Sequence, residues 1–250
     1  MPSIRYTPTP EPRNKHELRG EHPRRILQVV TGVNRYLDRP GHRTGLWLGE
    51  LSHSWDVFMN AGFEQVTASP SGGAVPLEPK SIRFPNFDAS TRAWYHDKEK
   101  MALLDDVASL EDVSAADFDA IFLTGGHAVM YDFPGCDALQ RLIRDIYEAG
   151  GAVGSVCHGY CGLLETKLSD GSLLIAGKKL TGFSWVEEVL AGVAEIVPYN
   201  VEQSVKERGA TYSKGLVPFI SHTETDGRLV TGQNPASARA AAHKLVERIK

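Results

Sequence analysis

Short apolar runs alternate along this chain with stretches whose apolar residues recur every three or four positions. Ile26-Leu27-Gln28-Val29-Val30 reads as the first strand of a parallel sheet. Residues 50–61 carry Leu51, Trp55, Phe58 and Met59 at helical spacing, and Gly62 ends that helix. Gln65-Val66-Thr67-Ala68-Ser69 is a second short strand; 70–84, with Gly72, Gly73, Pro76 and Pro79, reads as loop. A helix is expected over 98–110. A buried strand, Asp119-Ala120-Ile121-Phe122-Leu123, runs into Thr124-Gly125-Gly126-His127. Residues 137–149 have a helical period through Leu139, Leu142, Ile143 and Ile146, closed by Gly150-Gly151. The next strand is Gly151-Ala152-Val153-Gly154-Ser155-Val156, followed by an expected helix over 159–168. Residues 174–181 suggest a hairpin or short strands around Gly177-Lys178, Arg228-Leu229-Val230-Thr231 a late strand, and 236–249 a final helix opened by Pro235.

Strands alternating with helices predict an α/β fold, a doubly wound parallel sheet with helices on both faces. No repeat or linker divides residues 24–250, which read as a single domain. Residues 1–23 are rich in Pro, Arg, His and Glu and read as an extended N-terminal arm.

Composition narrows the function classes. The chain has 250 residues and a net charge of -4, so no basic footprint points to nucleic acid. No apolar run approaches the ~20 residues of a membrane span. The N-terminal stretch lacks the apolar core of a signal peptide. Three cysteines without framework spacing fit a reducing compartment, so a cytoplasmic location is expected.

The chemistry concentrates at Gly154-Ser155-Val156-Cys157-His158-Gly159. A cysteine at a strand-to-helix corner has the geometry of a nucleophile elbow. A helix N-terminus aimed at it would favour thiolate over thiol, and His158 supplies a proton carrier. Flanking glycines permit a tight turn. The plain alternative is a buried structural cysteine. Glu50, at a helix start, is either a dipole-complementing residue or an acid reaching the top of the sheet beside Cys157. Gly125 and Gly126 either form a simple turn or present amides to an oxyanion. Glu187 or Glu188 would orient His158, unless both lie on a solvated helix face. Cys161, one helical turn after Cys157, is read as packed and inert, and Cys136 carries no pairing signal. His42, His53, His127 and His222 show no compact ligand spacing, so no metal is expected.

These stretches resemble the DJ-1/PfpI superfamily, within the class I glutamine amidotransferase-like fold, and most nearly its Hsp31-like, glutathione-independent glyoxalase branch. The resemblance is carried by Gly49-Glu50 with Asn60-Ala61-Gly62-Phe63-Glu64, Ala68-Ser69-Pro70 with Gly72-Gly73, and Phe122-Leu123-Thr124-Gly125-Gly126-His127. It continues through Val156-Cys157-His158-Gly159, Leu180-Thr181-Gly182-Phe183-Ser184, and the run from Asp226 to Ser237. It implies a flavodoxin-like sandwich, usually a homodimer, acting on a small 2-oxoaldehyde without redox or metal cofactor. Carried over, Cys157 is the nucleophile, His158 its neighbour, Glu50 the acid at the thiol, and Glu188 the favoured triad acid. Gly125, Gly126 and His127 fall at the substrate and oxyanion site, with the amides of Gly126 and His158 as oxyanion donors. Tyr160 departs from the family pattern and is expected to fill or line the pocket. The segment 84–95 looks like an insertion able to form a lid. The metal ligands of larger bacterial Hsp31 chaperones are not found. The competing readings are another Cys-dependent hydrolase, amidase or deglycase, and a stress chaperone or redox sensor.

Overall fold

Alternate residues of the central strands feed two different cores, and that alternation sets the layers of the molecule. The computed structural model describes residues 24–249, so the expected arm over 1–23 lies outside the described residues. The first strand, β1 (Arg25–Val29), is followed by a small exposed hairpin, β2 (Arg35–Tyr36) and β3 (Arg39–Arg43). Then come α1 (Leu48–Asn60), β4 (Glu64–Ser69), α2 (Ala89–His96), α3 (Lys98–Ala102) and β5 (Ala108–Ser109). The middle of the chain gives β6 (Ala120–Leu123), α4 (Val129–Asp132), α5 (Asp137–Glu148) and β7 (Ala152–Val156). The last third gives β8 (Lys179–Leu180), α6 (Trp185–Leu190), α7 (Val201–Glu207), β9 (Thr211–Tyr212), β10 (Thr223–Asp226), β11 (Leu229–Gly232) and α8 (Ala238–Arg248).

The main sheet has the order β10-β11-β7-β6-β1-β4-β5. Only the β10–β11 pair is antiparallel. Ile26, Ala120, Phe122, Ala152 and Val156 face one way, against Val57 and Phe58 of α1 and Ala241, Ala242 and Leu245 of α8. Leu27, Val29, Ile121, Leu123 and Val153 face the other way, against Leu139, Leu142, Ile143 and Ile146 of α5. Helices on both faces leave β1, β6 and β7 buried, which explains their nearly unbroken apolar reading. The chain reverses its winding between β1 and β6. Ligands of open α/β sheets bind at such a switch point, outside the carboxyl ends of the strands. Here the β1 side is filled. The Thr31 hydroxyl and Gly32 amide both donate to Asp132 Oδ2, at 2.8 and 3.0 Å. The accessible chemistry therefore shifts to the ends of β6 and β7.

Three elements differ from the sequence reading. The expected helix over 98–110 stops at Ala102, because the chain turns to pair with residue 73: the Val107 and Gly73 amides exchange bonds with each other's carbonyls. Residues 174–181 form no hairpin; β8 pairs in parallel with β9 instead. The expected helix over 159–168 is a seven-residue 3-10 turn, Cys157–Leu163. A Cβ on Gly159 would collide with the Leu123 carbonyl, and one on Gly162 would crowd the Leu123 side chain. The glycines thus bring this turn down onto β6. The segment 84–95 is tied to α1: Trp94 is buried in the cluster that holds Leu48 and Leu51, and Ser90 donates to Asp56 at 3.0 Å.

The close approach at Gly159 makes a stability prediction. Gly159 has no positive φ, so an alanine there tests sterics alone. Gly159→Ala is expected to destabilise by about 1–3 kcal/mol. Gly41→Ala, which meets open space, is expected to stay within about 0.5 kcal/mol of wild type. Thermal melts of the two variants side by side check this; equal melting would refute the packing role assigned to Gly159.

Candidate active site

Cys157 caps β7 with φ +56, one of two described non-glycine residues in the left-handed region. Such a conformation costs of order 1–3 kcal/mol and persists only where its surroundings enforce it. The enforcement is visible. Phe183 N–H donates to the Cys157 carbonyl at 3.3 Å, and Gly159 is pressed onto β6. The thiol lies 3.3 Å from His158 Nδ1. The opposite ring nitrogen, Nε2, lies 2.7 Å from Glu188 Oε1. With Nε2 protonated toward the carboxylate, Nδ1 is left as an acceptor for the thiol proton. That is a Cys-His-Glu line of the kind that activates nucleophiles.

Glu187 and Glu188 are neighbours on α6, so their side chains leave the helix about 100° apart. Only Glu188 faces His158. Its second oxygen lies 3.1 Å from His127 Nε2, and the two imidazole centroids are 4.3 Å apart. One carboxylate is therefore shared by two histidines. Burial alone would raise Glu188, but His158 and His127 outweigh it and bring it down to about 2. Burial lowers His158 against the pull of Glu188. Glu187 points the other way, into the packing of the 215–220 segment.

Glu50 reaches the same site from α1. The chain before α1 is stitched across the end of β6: Trp47 N–H donates to the Gly125 carbonyl at 3.2 Å, and Gly125 N–H returns to Glu50 Oε2 at 2.6 Å. Glu50 is fully buried, and its other oxygen, Oε1, makes no geometrically formed hydrogen bond among the described residues, although the Cys157 thiol is close enough to act on the carboxyl. Burial raises its carboxyl to about 8, countered in part by the Gly125 amide and the Cys157 thiol. Cys157 is raised as well, first by burial and then by the Glu50 charge, while the His158 amide pulls it down. The expectation of a helix-lowered thiol is thus corrected. The turn after Cys157 is not an α-helix, and the thiol is only 2% exposed. Burial therefore favours the thiol over a standing thiolate, with His158 Nδ1 placed to accept its proton.

Two further expectations change. The Gly125 amide is committed to Glu50, so it is not an oxyanion donor. Gly126, already expected as a donor, remains available: its φ is +110, a Cβ would collide with the Gly45 carbonyl, and its amide has no acceptor among the described residues. Tyr160 does not line a pocket. Its hydroxyl donates to the Phe183 carbonyl at 2.8 Å, and its ring is fully buried against Gly182 in the α5-side core. Cys161 is buried in that core too, where burial raises its thiol.

The sequence reading missed two aromatic neighbours and a ligand cluster. Phe183 packs on His158 with ring centroids 4.7 Å apart, and Tyr36, from β2, sits 5.9 Å from the His127 ring. The Tyr36 hydroxyl is raised by burial and by the charges of Glu78 and Glu188. The hairpin that carries it turns at Leu37-Asp38, while Pro40-Gly41, the turn-like pair in this stretch, lies inside β3. His127, His158 and Glu188 also bring donor atoms within 4.8 Å of one another. Sequence spacing hid this set, because its members lie on three separate segments. Their donor atoms are turned on each other, so a metal ion would have to displace the two histidine–glutamate contacts.

The raised Glu50 carboxyl has a sign that can be checked. A folded carboxyl held at about 8 stabilises the fold below the ordinary carboxylate range, and that contribution is lost as pH rises toward 8. Glu50→Gln does not ionise, so its melting temperature relative to wild type is expected to rise between pH 5 and pH 8. A difference that stays flat across this window would remove the buried-acid assignment.

Comparison with known proteins bears on the chain as a whole. The family model described as "DJ-1/PfpI family" matches residues 46–248. The glutathione-independent glyoxalase HSP31 of Saccharomyces cerevisiae is 33% identical over 236 residues, covering 91% of this chain and 99% of that protein. The crystal structure of glyoxalase III from Candida albicans superposes with a TM-score of 0.83 at 29% identity, covering 91% of this chain and 98% of that one. The rapid encystment protein of Francisella tularensis superposes with a TM-score of 0.86 at 31% identity, covering 91% of this chain and 99% of that one. With its elbow, its sheet order and these matches over nearly its whole described length, the chain belongs to the DJ-1/PfpI family.

Proposed function

We propose that this chain is a glutathione-independent glyoxalase, converting a 2-oxoaldehyde such as methylglyoxal and one water to a 2-hydroxy acid. The observation that carries the reading is the strained Cys157 flanked by two proton carriers of different kind, His158 on one side and a near-neutral Glu50 on the other. Relatives named as glutathione-independent glyoxalases across most of the chain support the same reaction class.

In this reading the Cys157 thiol gives its proton to His158 Nδ1, and the sulfur adds to the aldehyde carbon. His158 returns the proton to the new oxygen, which gives a hemithioacetal. Glu188 holds the transient imidazolium. A base then removes the hydrogen from that carbon while the adjacent ketone oxygen is protonated, which gives an enediol. Reprotonation at the neighbouring carbon leaves a thioester, so one carbon is oxidised and the next reduced by equal amounts. Water cleaves the thioester, releasing the hydroxy acid and the thiol. Glu50 suits the carbon-to-carbon proton transfer, because a carboxyl near 8 both gives and takes protons at neutral pH. The amides of Gly126 and His158 are the oxyanion donors. The same reading includes a lyase of the D-lactate dehydratase type, a cytoplasmic location and a homodimer.

The test is to incubate the purified protein with methylglyoxal in the absence of glutathione and assay D-lactate. Cys157→Ala is expected to abolish turnover with the fold intact, since no other group replaces the sulfur. Glu188→Gln is expected to lower the rate by about 10²-fold or more, because the imidazolium loses its counter-charge. Wild-type rates in the Cys157 variant would sink the covalent route.

A further inference from the structure

A second non-glycine residue sits in the left-handed region. Phe219 has φ +63, unfavourable for a bulky aromatic. Its backbone is held there by Glu187. This carboxylate is fully buried and gathers five donors. The Phe219 amide reaches Oε1 at 2.7 Å and the Asn234 side-chain amide reaches it at 2.8 Å. The Gln233 side-chain amide, the Ser184 amide and the Ser184 hydroxyl reach Oε2 at 2.9, 3.0 and 2.8 Å. The segment is pinned at both ends as well. Gly215 N–H donates to Gln233 Oε1 at 2.8 Å, and the Ile220 carbonyl accepts from Asn234 at 3.0 Å.

What this anchoring presents is apolar. Leu216, Val217, Phe219 and Ile220 are all exposed, and Phe219, with its aromatic ring, is 45% exposed as a residue. That ring lies 6.2 Å from Phe183, and Phe183 lies 4.7 Å from the His158 ring. The aromatic series thus runs from the reacting histidine outward to solvent, on the side of Cys157 where Phe183 binds its carbonyl. Exposed apolar surface costs free energy unless something is meant to cover it. A positive φ on an aromatic, enforced by a buried carboxylate, indicates that the ring's position matters.

We propose that Phe219, presented by the 215–220 segment and seated by Glu187, is a specificity-determining wall on the approach to Cys157, selecting 2-oxoaldehydes with a large apolar substituent over the methyl-substituted one. The proposal rests on the reaction class given above. Phe183 and Phe219 would receive the substituent edge-on or offset, while the dicarbonyl end stays between Cys157, His158 and Glu50. Glu187 acts here as a positioning residue; it touches neither the thiol nor His158.

The experiment compares kcat/KM for phenylglyoxal and methylglyoxal in wild type, Phe219→Ala and Phe219→Gly. Losing one aromatic contact is expected to lower the phenylglyoxal-to-methylglyoxal ratio about 10-fold, mainly through KM for phenylglyoxal. Phe219→Gly removes the same ring while relaxing the positive φ, so it separates loss of the wall from loss of fold. A ratio equal to wild type in a folded Phe219→Gly protein overturns the proposal. If wild type turns over neither aldehyde, the reaction class fails but the wall is still read by alkylation of Cys157. In that arm N-phenylmaleimide and N-methylmaleimide are compared. A phenyl preference in wild type that disappears in both variants supports the wall; no preference, or one that survives, overturns it.

Discussion

The burial of one carboxyl group ties this site together. Glu50 is held by the Gly125 amide, Gly125 by the Trp47 amide, and so the first helix is fastened to the end of the sixth strand. Burial beneath this stitching raises the Glu50 carboxyl to about 8, against the opposing pull of the Gly125 amide itself. A solvated glutamate at this helix start would complement the dipole and do little else. Its position three residues into α1, bonded to the first of the glycine pair, gives a common helix-start residue a buried, raised carboxyl beside the thiol.

The other half of the site is built around a shared charge. Glu188 accepts from two imidazoles, so neither ring can rotate without breaking a buried contact, and each fixes the proton of the other. Phe183 lies over His158 and contacts the edge of His127, closing that pair from water on one side. Its neighbour Glu187 has a different task, although the two acids are adjacent and both buried. Helical geometry turns one toward the thiol and the other toward an outer loop. Buried side-chain amides and a hydroxyl then satisfy the second carboxylate completely, as a buried charge requires.

Much of this was legible in the chain because it is local. Cys157 between small residues, the Gly125-Gly126 pair and the strand periodicities each express a constraint within a few residues. The doubly wound sheet follows from those periodicities, and the structure has that order. What was not legible depends on long-range approach. Tyr160 looked like a pocket residue because it follows the elbow, but the 3-10 turn rolls it into the opposite core. The choice between Glu187 and Glu188 depended on the rotation of α6. The thiol environment was misread because a helix was expected where glycines bring the chain down on β6. Phe219 and Tyr36 carried no local mark, since what brings them to the site is the fold of loops far from Cys157.

The left-handed backbone at Cys157 sets stability against reactivity. On backbone energy alone, glycine or asparagine would suit φ +56 better than cysteine. A population of variants screened only for thermal resistance would therefore drift away from cysteine at this position, gaining rigidity as it lost the sulfur. The fold itself thus sets a stability gradient against cysteine here, so stabilising this protein by engineering is safest on elements that do not load the elbow.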